Sequence, residues 1–325
     1  MIKGPWTGSR RRGLLLAAGT GLLARAAAAQ PQATAAELAQ INTMALRANR
    51  GTVGIITGGV DGTYIRIAAD LAAVLDSDRL RIIAMVGRGS VQNIADIILL
   101  RGVDLGIVQS DVLTFTRRER LYPSLDRLIQ YVCKLFDEEV HILARPGIET
   151  LQDLAGKPVN VDLLGSGTAM TASLLFGALG LGAQERNDPQ DVALERLRRG
   201  EIAALVYVAG KPARLFSSVR PEEGLRLLPV PSTPALLQTY TPATFMEADY
   251  PGLVPPGGVE TLAVGSVLAV YGWPPGSERH VKISRFVEAM TANFDALLRP
   301  PRHPKWHEVD LAATVPGWTR FTPAP

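Results

Sequence analysis

The sequence predicts an α/β protein of two lobes, each built on a parallel sheet with helices on its faces, joined by two crossover strands. Three observations predict it. Between residues 51 and 118, apolar strand, polar turn and helix follow one another three times. A second region of the same kind starts near Arg145. Two further segments, 139–144 and 260–270, stand between these regions and read as paired crossover strands. Lobe 1 then takes residues 30–140 and 265–325, and lobe 2 takes residues 141–264. A chain that leaves one lobe and returns to it can open and close about a hinge.

Each element follows from its own residues. In 35–50, Leu38, Ile41, Ala45 and Leu46 fall on one helical face. Residues 52–57 form a short apolar strand that runs into Gly58-Gly59. Ile67, Leu71 and Leu75 recur at about one turn, which makes 63–75 a helix. Residues 80–86 are a strand, and 91–101 a helix with Ile94, Ile97 and Ile98 inward. Residues 104–108 are a strand, after which Ser110 is expected to cap a short helix. In the second region 159–162 and 203–208 are strands, and 168–179 and 191–199 are helices. Residues 229–258, rich in Pro, Gly and Thr, break the pattern. A strong strand at 261–271 and a long helix at 278–298 complete the chain. Continuous apolar strands of this kind belong to sheets buried on both faces.

The first 29 residues read as an export leader. Arg10-Arg11-Arg12 precede an eleven-residue apolar stretch, 13–23, and Ala27-Ala28-Ala29 offers a small-residue cleavage site before Gln30. Eleven residues are too few to cross a bilayer core, which needs about 20. The paired arginines fit twin-arginine export as well as general secretion. A periplasmic, monomeric mature chain is expected. The leader carries Lys3, Arg10, Arg11, Arg12 and Arg25 and no acid; setting these five aside leaves 29 basic against 31 acidic residues. That balance argues against a nucleic-acid partner. One cysteine, Cys133, excludes an internal disulfide and reads as a buried, inert thiol.

In open parallel sheets, ligands bind beyond the carboxyl ends of the strands. The turns expected there are 57–59, 87–90, 109–111, 165–168 and 209–211. Four of them join glycine to a hydroxyl or a cation, and Gln109-Ser110-Asp111 brings an amide, a hydroxyl and an acid; glycine lets a ligand approach the backbone. The helix starts that follow expose unpaired N–H groups and a positive dipole end, a setting that suits anions. Serine at such a place is also an ordinary helix cap.

Thr57-Gly58-Gly59-Val60-Asp61-Gly62-Thr63-Tyr64 resembles the TGGTGGTYY signature of the TAXI receptors, the solute-binding subunits of one class of TRAP transporter. Gly89-Ser90-Val91-Gln92-Asn93-Ile94 is similar to that family's GGSVENL, and residues 104–111 to its DLAFVQSD. Gly165-Ser166-Gly167-Thr168 is similar to its PGSGT turn, and Val208-Ala209-Gly210 to its VAG-x-P. The departures are Val60-Asp61 for the second TG, Ile65 for the second Tyr, Arg66 where proline is frequent, Arg88 for a glycine and Lys211 for a histidine.

The resemblance implies a two-lobed periplasmic-binding-protein fold of type II kind. It also implies a small carboxylate or amino acid ligand, glutamate-like or a dicarboxylate, handed to a TRAP membrane subunit. The ligand-binding residues it points to are Gly59, Thr63, Tyr64, Arg88, Ser90, Asn93, Gln109, Ser110, Asp111, Ser166, Gly167, Thr168 and Gly210. Arg88 would add a cation for a second carboxylate. The alternative is a periplasmic sensing module of the same fold that docks on a signalling protein.

Other chemistry finds no support. His303 and His307 flank Pro304, which disfavours a helical zinc pair, and no third ligand is near. His141 lies in a crossover strand as a structural histidine. Glu138-Glu139 and Glu222-Glu223 read as solvated corners. There is no G-x-S-x-G elbow, no P-loop lysine after Gly58 and no third glycine after Gly87-x-Gly89. No cofactor and no enzyme activity are therefore expected.

Overall fold

The computed structural model describes residues 33–60 and 62–324. The expected leader, its cleavage point and Asp61 lie outside them. The chain divides into a unit that ends at Ala45 and a second unit, Leu46–Pro325. Helix α1 (Ala35–Asn49) begins in the first, and its Leu38, Ile41, Met44 and Leu46 are exposed.

In the second unit, β1 (Thr52–Ile56), α2 (Thr63–Leu75), β2 (Arg81–Met85), α3 (Ser90–Leu99) and β3 (Leu105–Gln109) form two parallel crossovers. Two short helices, α4 (Val112–Arg118) and α5 (Leu125–Leu128), lead into the sixteen-residue strand β4 (Ile129–Ala144). The next part is β5 (Pro158–Asn160), α6 (Gly167–Leu179), β6 (Gln184–Arg186), α7 (Gln190–Arg198) and β7 (Ala204–Ala209). Strands β8 (Arg226–Leu227) and β9 (Thr241–Phe245) precede β10 (Val259–Tyr271), α8 (Glu278–Ala292) and α9 (Phe294–Leu297).

The strand order is β2-β1-β3-β10-β4-β7-β5-β6, with β8 beside β4 and β9 beside β10. Two parallel triplets, β2-β1-β3 and β7-β5-β6, thus flank an antiparallel central pair. The expected α/β architecture, with two lobes joined by crossover strands, is the one observed. Strand β4 starts ten residues before the expected crossover segment. Its first half pairs with the end of β10, and its second half pairs with β7.

The register of β10 on β4 slips at Gly265–Val267 and again before Ala269. There the side chain of Ser266 takes over from the ladder: its hydroxyl donates to Phe136 O at 2.8 Å and accepts from Phe136 N at 3.4 Å. A bulge bends and twists a strand locally, which suits a change of direction between lobes.

The core divides accordingly. Two apolar clusters draw on residues 53–136 and 267–321, and two on residues 140–264; Met170 of α6 is the exception that joins the first group. Within the first, Trp306 is fully buried and donates its Nε1–H to Asp70 at 3.0 Å, which ties the C-terminal segment to α2. The expected helix 278–298 is interrupted at Asn293, whose Nδ2 donates to Ala289 O. The expected structural role of His141 is met. It is fully buried, stacks 4.4 Å from Phe245 and shares a 2.6 Å hydrogen bond with Tyr250. Burial pushes the Cys133 thiol up to about 12.

Candidate functional site

Three helices begin around one small cavity. Residues Gly62, Thr63 and Tyr64 of α2, Arg88 and Gly89 before α3, and Ser166, Gly167 and Thr168 of α6 line it. Gln109 at the end of β3, Glu138 of β4 and Ala209 at the end of β7 complete the wall. The carboxyl ends of strands in both lobes therefore point at one place, as the fold class requires. The cavity holds about 60 Å³. Past Gly59, Gly62, Arg88, Asp162 and Tyr207 it adjoins an outer cavity of about 170 Å³.

The two lobes meet directly around it. Gln92 N donates to Gly165 O at 3.1 Å. A Cβ on Gly89 would lie 3.1 Å from Gly167 N, and Gly89 has φ +104°. A Cβ on Gly167 would overlap Gln109 Oε1 and lie 2.8 Å from Ser90 Oγ. Both glycines are needed for this approach.

The helix starts differ in what occupies them. Gly62 and Gly89 sit at the N-caps of α2 and α3 with no side-chain cap, whereas Ser166 accepts from Ala169 N at 3.0 Å. Thr168 Oγ1 accepts from Val208 N at 3.1 Å. The uncapped N–H groups keep the partial positive charge that favours an anion.

Several of the expected residues lie behind the wall rather than on it. Ser90 Oγ accepts from Gln109 N at 2.9 Å, and Asn93 Nδ2 donates to Ile107 O at 2.8 Å, so both bind α3 to β3. Ser110 does not cap α4; its N–H bonds Gly265 O, its carbonyl accepts from Trp318 Nε1, and Asp111 takes the N-cap position. Gly210 packs on Lys305. Lys211 turns away to Thr244 O and Asp249.

Asp111 reaches across to the other lobe. Its Oδ2 accepts from Thr171 Oγ1 at 3.0 Å and from Tyr240 Oη at 2.9 Å, while Oδ1 is buried with no partner. Burial raises its carboxyl to about 6, against the pull of those two hydroxyls.

Glu138 and Glu139 are buried, not solvated corners. Glu139 pairs with Lys305 at 3.2 Å and accepts from Lys211 N at 2.9 Å. Glu138 Oε2 accepts from Tyr64 Oη at 2.5 Å. Burial, reinforced by the charge of Glu139, pushes Glu138 well above the ordinary carboxylate range. Asp162, with φ +69°, is likewise raised by burial to about 6. Glu138 and Asp162 are lining residues absent from the expected set; no local pattern marks either. Arg88 is exposed and lines both cavities, with no ion partner among the described residues.

The chain is similar to solved periplasmic binding proteins. A structure described as a periplasmic transporter shares 14% identity, with 82% of this chain and 89% of that one covered and a TM-score of 0.48. Periplasmic binding protein BugD shares 13%, over 79% and 85%, with a TM-score of 0.47. The amino acid ABC transporter substrate-binding protein AbpA from Streptococcus pneumoniae, bound to L-arginine, shares 11%, over 81% and 98%, with a TM-score of 0.45. The model of the NMT1-like family matches residues 55–273, which include every helix start and strand end around the cavity, and this chain belongs to that family.

Proposed function

We propose that this chain is an extracytoplasmic solute receptor that closes on a small carboxylate-bearing ligand and hands it to a TRAP-type membrane subunit. Two lobes, residues 30–140 with 265–325 and residues 141–264, would close about the bulged pair of β4 and β10. The mature chain would start near Gln30 in the periplasm, act as a monomer and catalyse no reaction. The TAXI-like motifs support the transport assignment.

The observation that carries the reading is the convergence of three helix N-termini, two without side-chain caps, on a cavity between lobes. Such a site takes an anion through backbone N–H groups. Its size bounds the ligand: at 10–15 Å³ for each water-sized position, the inner cavity offers on the order of five. That admits the polar end of a small acid and leaves the remainder to the outer cavity. Each charge-assisted hydrogen bond contributes about 1.5–3 kcal/mol, and a few reach the roughly −8 kcal/mol of a micromolar site after the cost of immobilisation.

A thermal-shift screen of the mature protein against organic and amino acids, followed by calorimetry, tests this. At least one acid should bind, and Ser166→Ala should weaken it about tenfold beyond its cap cost of about 1 kcal/mol in stability. If no acid binds, the reading fails.

A further inference from the structure

Glu138 stands on the cavity wall with half of its carboxylate unanswered. It is 3% exposed, on β4 opposite Val264 of β10. Tyr64, held edge-on against Phe136, satisfies Oε2. Oε1 has no hydrogen-bond partner among the described residues. The nearby cations are committed elsewhere: Lys305 to Glu139 and Glu308, Lys211 to Asp249. Glu138 has no salt-bridge partner among the described residues.

A buried carboxylate is costly unless a donor or a cation meets it. The other acid on the wall, Asp162, is raised by burial but drawn back by the Leu163 backbone and the Ser166 hydroxyl. Among the described residues, the ionisable groups that line the inner cavity are one arginine, Arg88, and two carboxyls, Glu138 and Asp162. A second carboxylate on the ligand would meet a buried carboxyl that has no cation to spare, whereas an ammonium would supply the cation that lets Glu138 ionise. A ligand with one amine and one carboxylate answers both sides: the amine donates to Glu138, and the carboxylate takes the helix N-termini and Arg88.

We propose that Glu138, positioned by Tyr64, is the specificity residue of this receptor and selects ligands that carry an amine beside their carboxylate over the same acids without it. This rests on the solute-receptor reading and narrows its ligand class.

Matched pairs test it: L-glutamate against glutarate, L-alanine against propionate, and L-leucine against 4-methylpentanoate, by calorimetry on the wild-type mature protein. The amine-bearing member of the tightest pair should bind at least tenfold more tightly. In Glu138→Gln, which keeps the shape and an acceptor for Tyr64, that preference should fall below about threefold. The affinity for the amine-free acid should be equal or higher. Equal affinities within the pairs in the wild type overturn the proposal and leave the receptor reading standing. So does a preference that survives Glu138→Gln in a folded variant. If neither member of any pair nor any acid of the wider screen binds, both fall. Should Glu138→Gln not fold, Tyr64→Phe serves instead. It frees Oε2, so the carboxylate is less well positioned, and the preference should shift by threefold or more. An unchanged preference there counts against the pair.

Discussion

Asp111 offers the sharpest test of how the lobes are fastened. Its carboxyl moves from an ordinary 3.8 to about 6 because burial outweighs the hydroxyls of Thr171 and Tyr240. A raised carboxyl means that the folded protein holds the proton more tightly than the unfolded chain. The resulting stability is fully present below pH 3.8 and is lost as the pH rises through 6. At 1.36 kcal/mol per pH unit the whole effect is about 3 kcal/mol, of which roughly half disappears between pH 5 and pH 7.5. Glu138, Glu139 and Asp162 are raised as well and act in the same direction, whereas His141 and His303, which burial lowers to about 3 and about 4, act in the opposite one, so the Asp111 contribution is read only against the variant. Asp111→Asn removes one contributor. Urea unfolding of wild type and variant at both pH values gives the answer as a difference of differences, in which the constant cost of burying an amide cancels. The variant should gain on the order of 1 kcal/mol on the wild type between pH 5 and pH 7.5. Parallel pH dependences would refute the buried, clasp-like state of this carboxyl.

Lys305→Met should cost about 3–5 kcal/mol, because it strands the buried carboxylate of Glu139; adding Glu139→Gln should recover much of it, as read by urea unfolding. Gly167→Ala should wedge the lobes apart, since its methyl overlaps the Gln109 side chain and meets Ser90. It should weaken ligand binding by tenfold or more and raise the radius of gyration in small-angle scattering, and an unchanged affinity would show that the lobes need not approach this closely.

The strands and helices that a local pattern can specify were legible in the sequence. Helix α2 begins and ends where expected, between Gly62 and Asp76, because its apolar residues recur at one face and Gly62 leaves the strand turn. The turns at 57–59 and 87–89 and the helix start at 166–168 were readable for the same reason: each is a short glycine or hydroxyl signal next to a helix start. The first ten residues of β4 were legible only as an apolar strand-like run around Cys133. Gln130, Lys134, Asp137 and Glu138 interrupt the apolar run; Lys134 and Asp137 pair with each other at 2.9 Å, but nothing nearby in the chain explains the burial of Glu138 and Glu139.

Their explanations come from far along the chain. Tyr64 reaches Glu138 from 74 residues away and Lys305 reaches Glu139 from 166. Asp111 meets Thr171 at a separation of 60 and Tyr240 at 129. A Glu-Glu pair is a solvated corner in most contexts because charged residues are rarely buried unpaired. It becomes a cavity wall only when an antiparallel partner, β10, covers one side of the strand and a helix start covers the other. That covering is a property of strand order, in which β10 runs between β3 and β4, and strand order is the level at which local periodicity stops carrying information. The same step separates the readable part of the site from the rest. The N–H donors for an anion lie in turns, and turns are local. The carboxyl that would meet the ligand's other end lies on a strand whose surroundings the fold alone supplies.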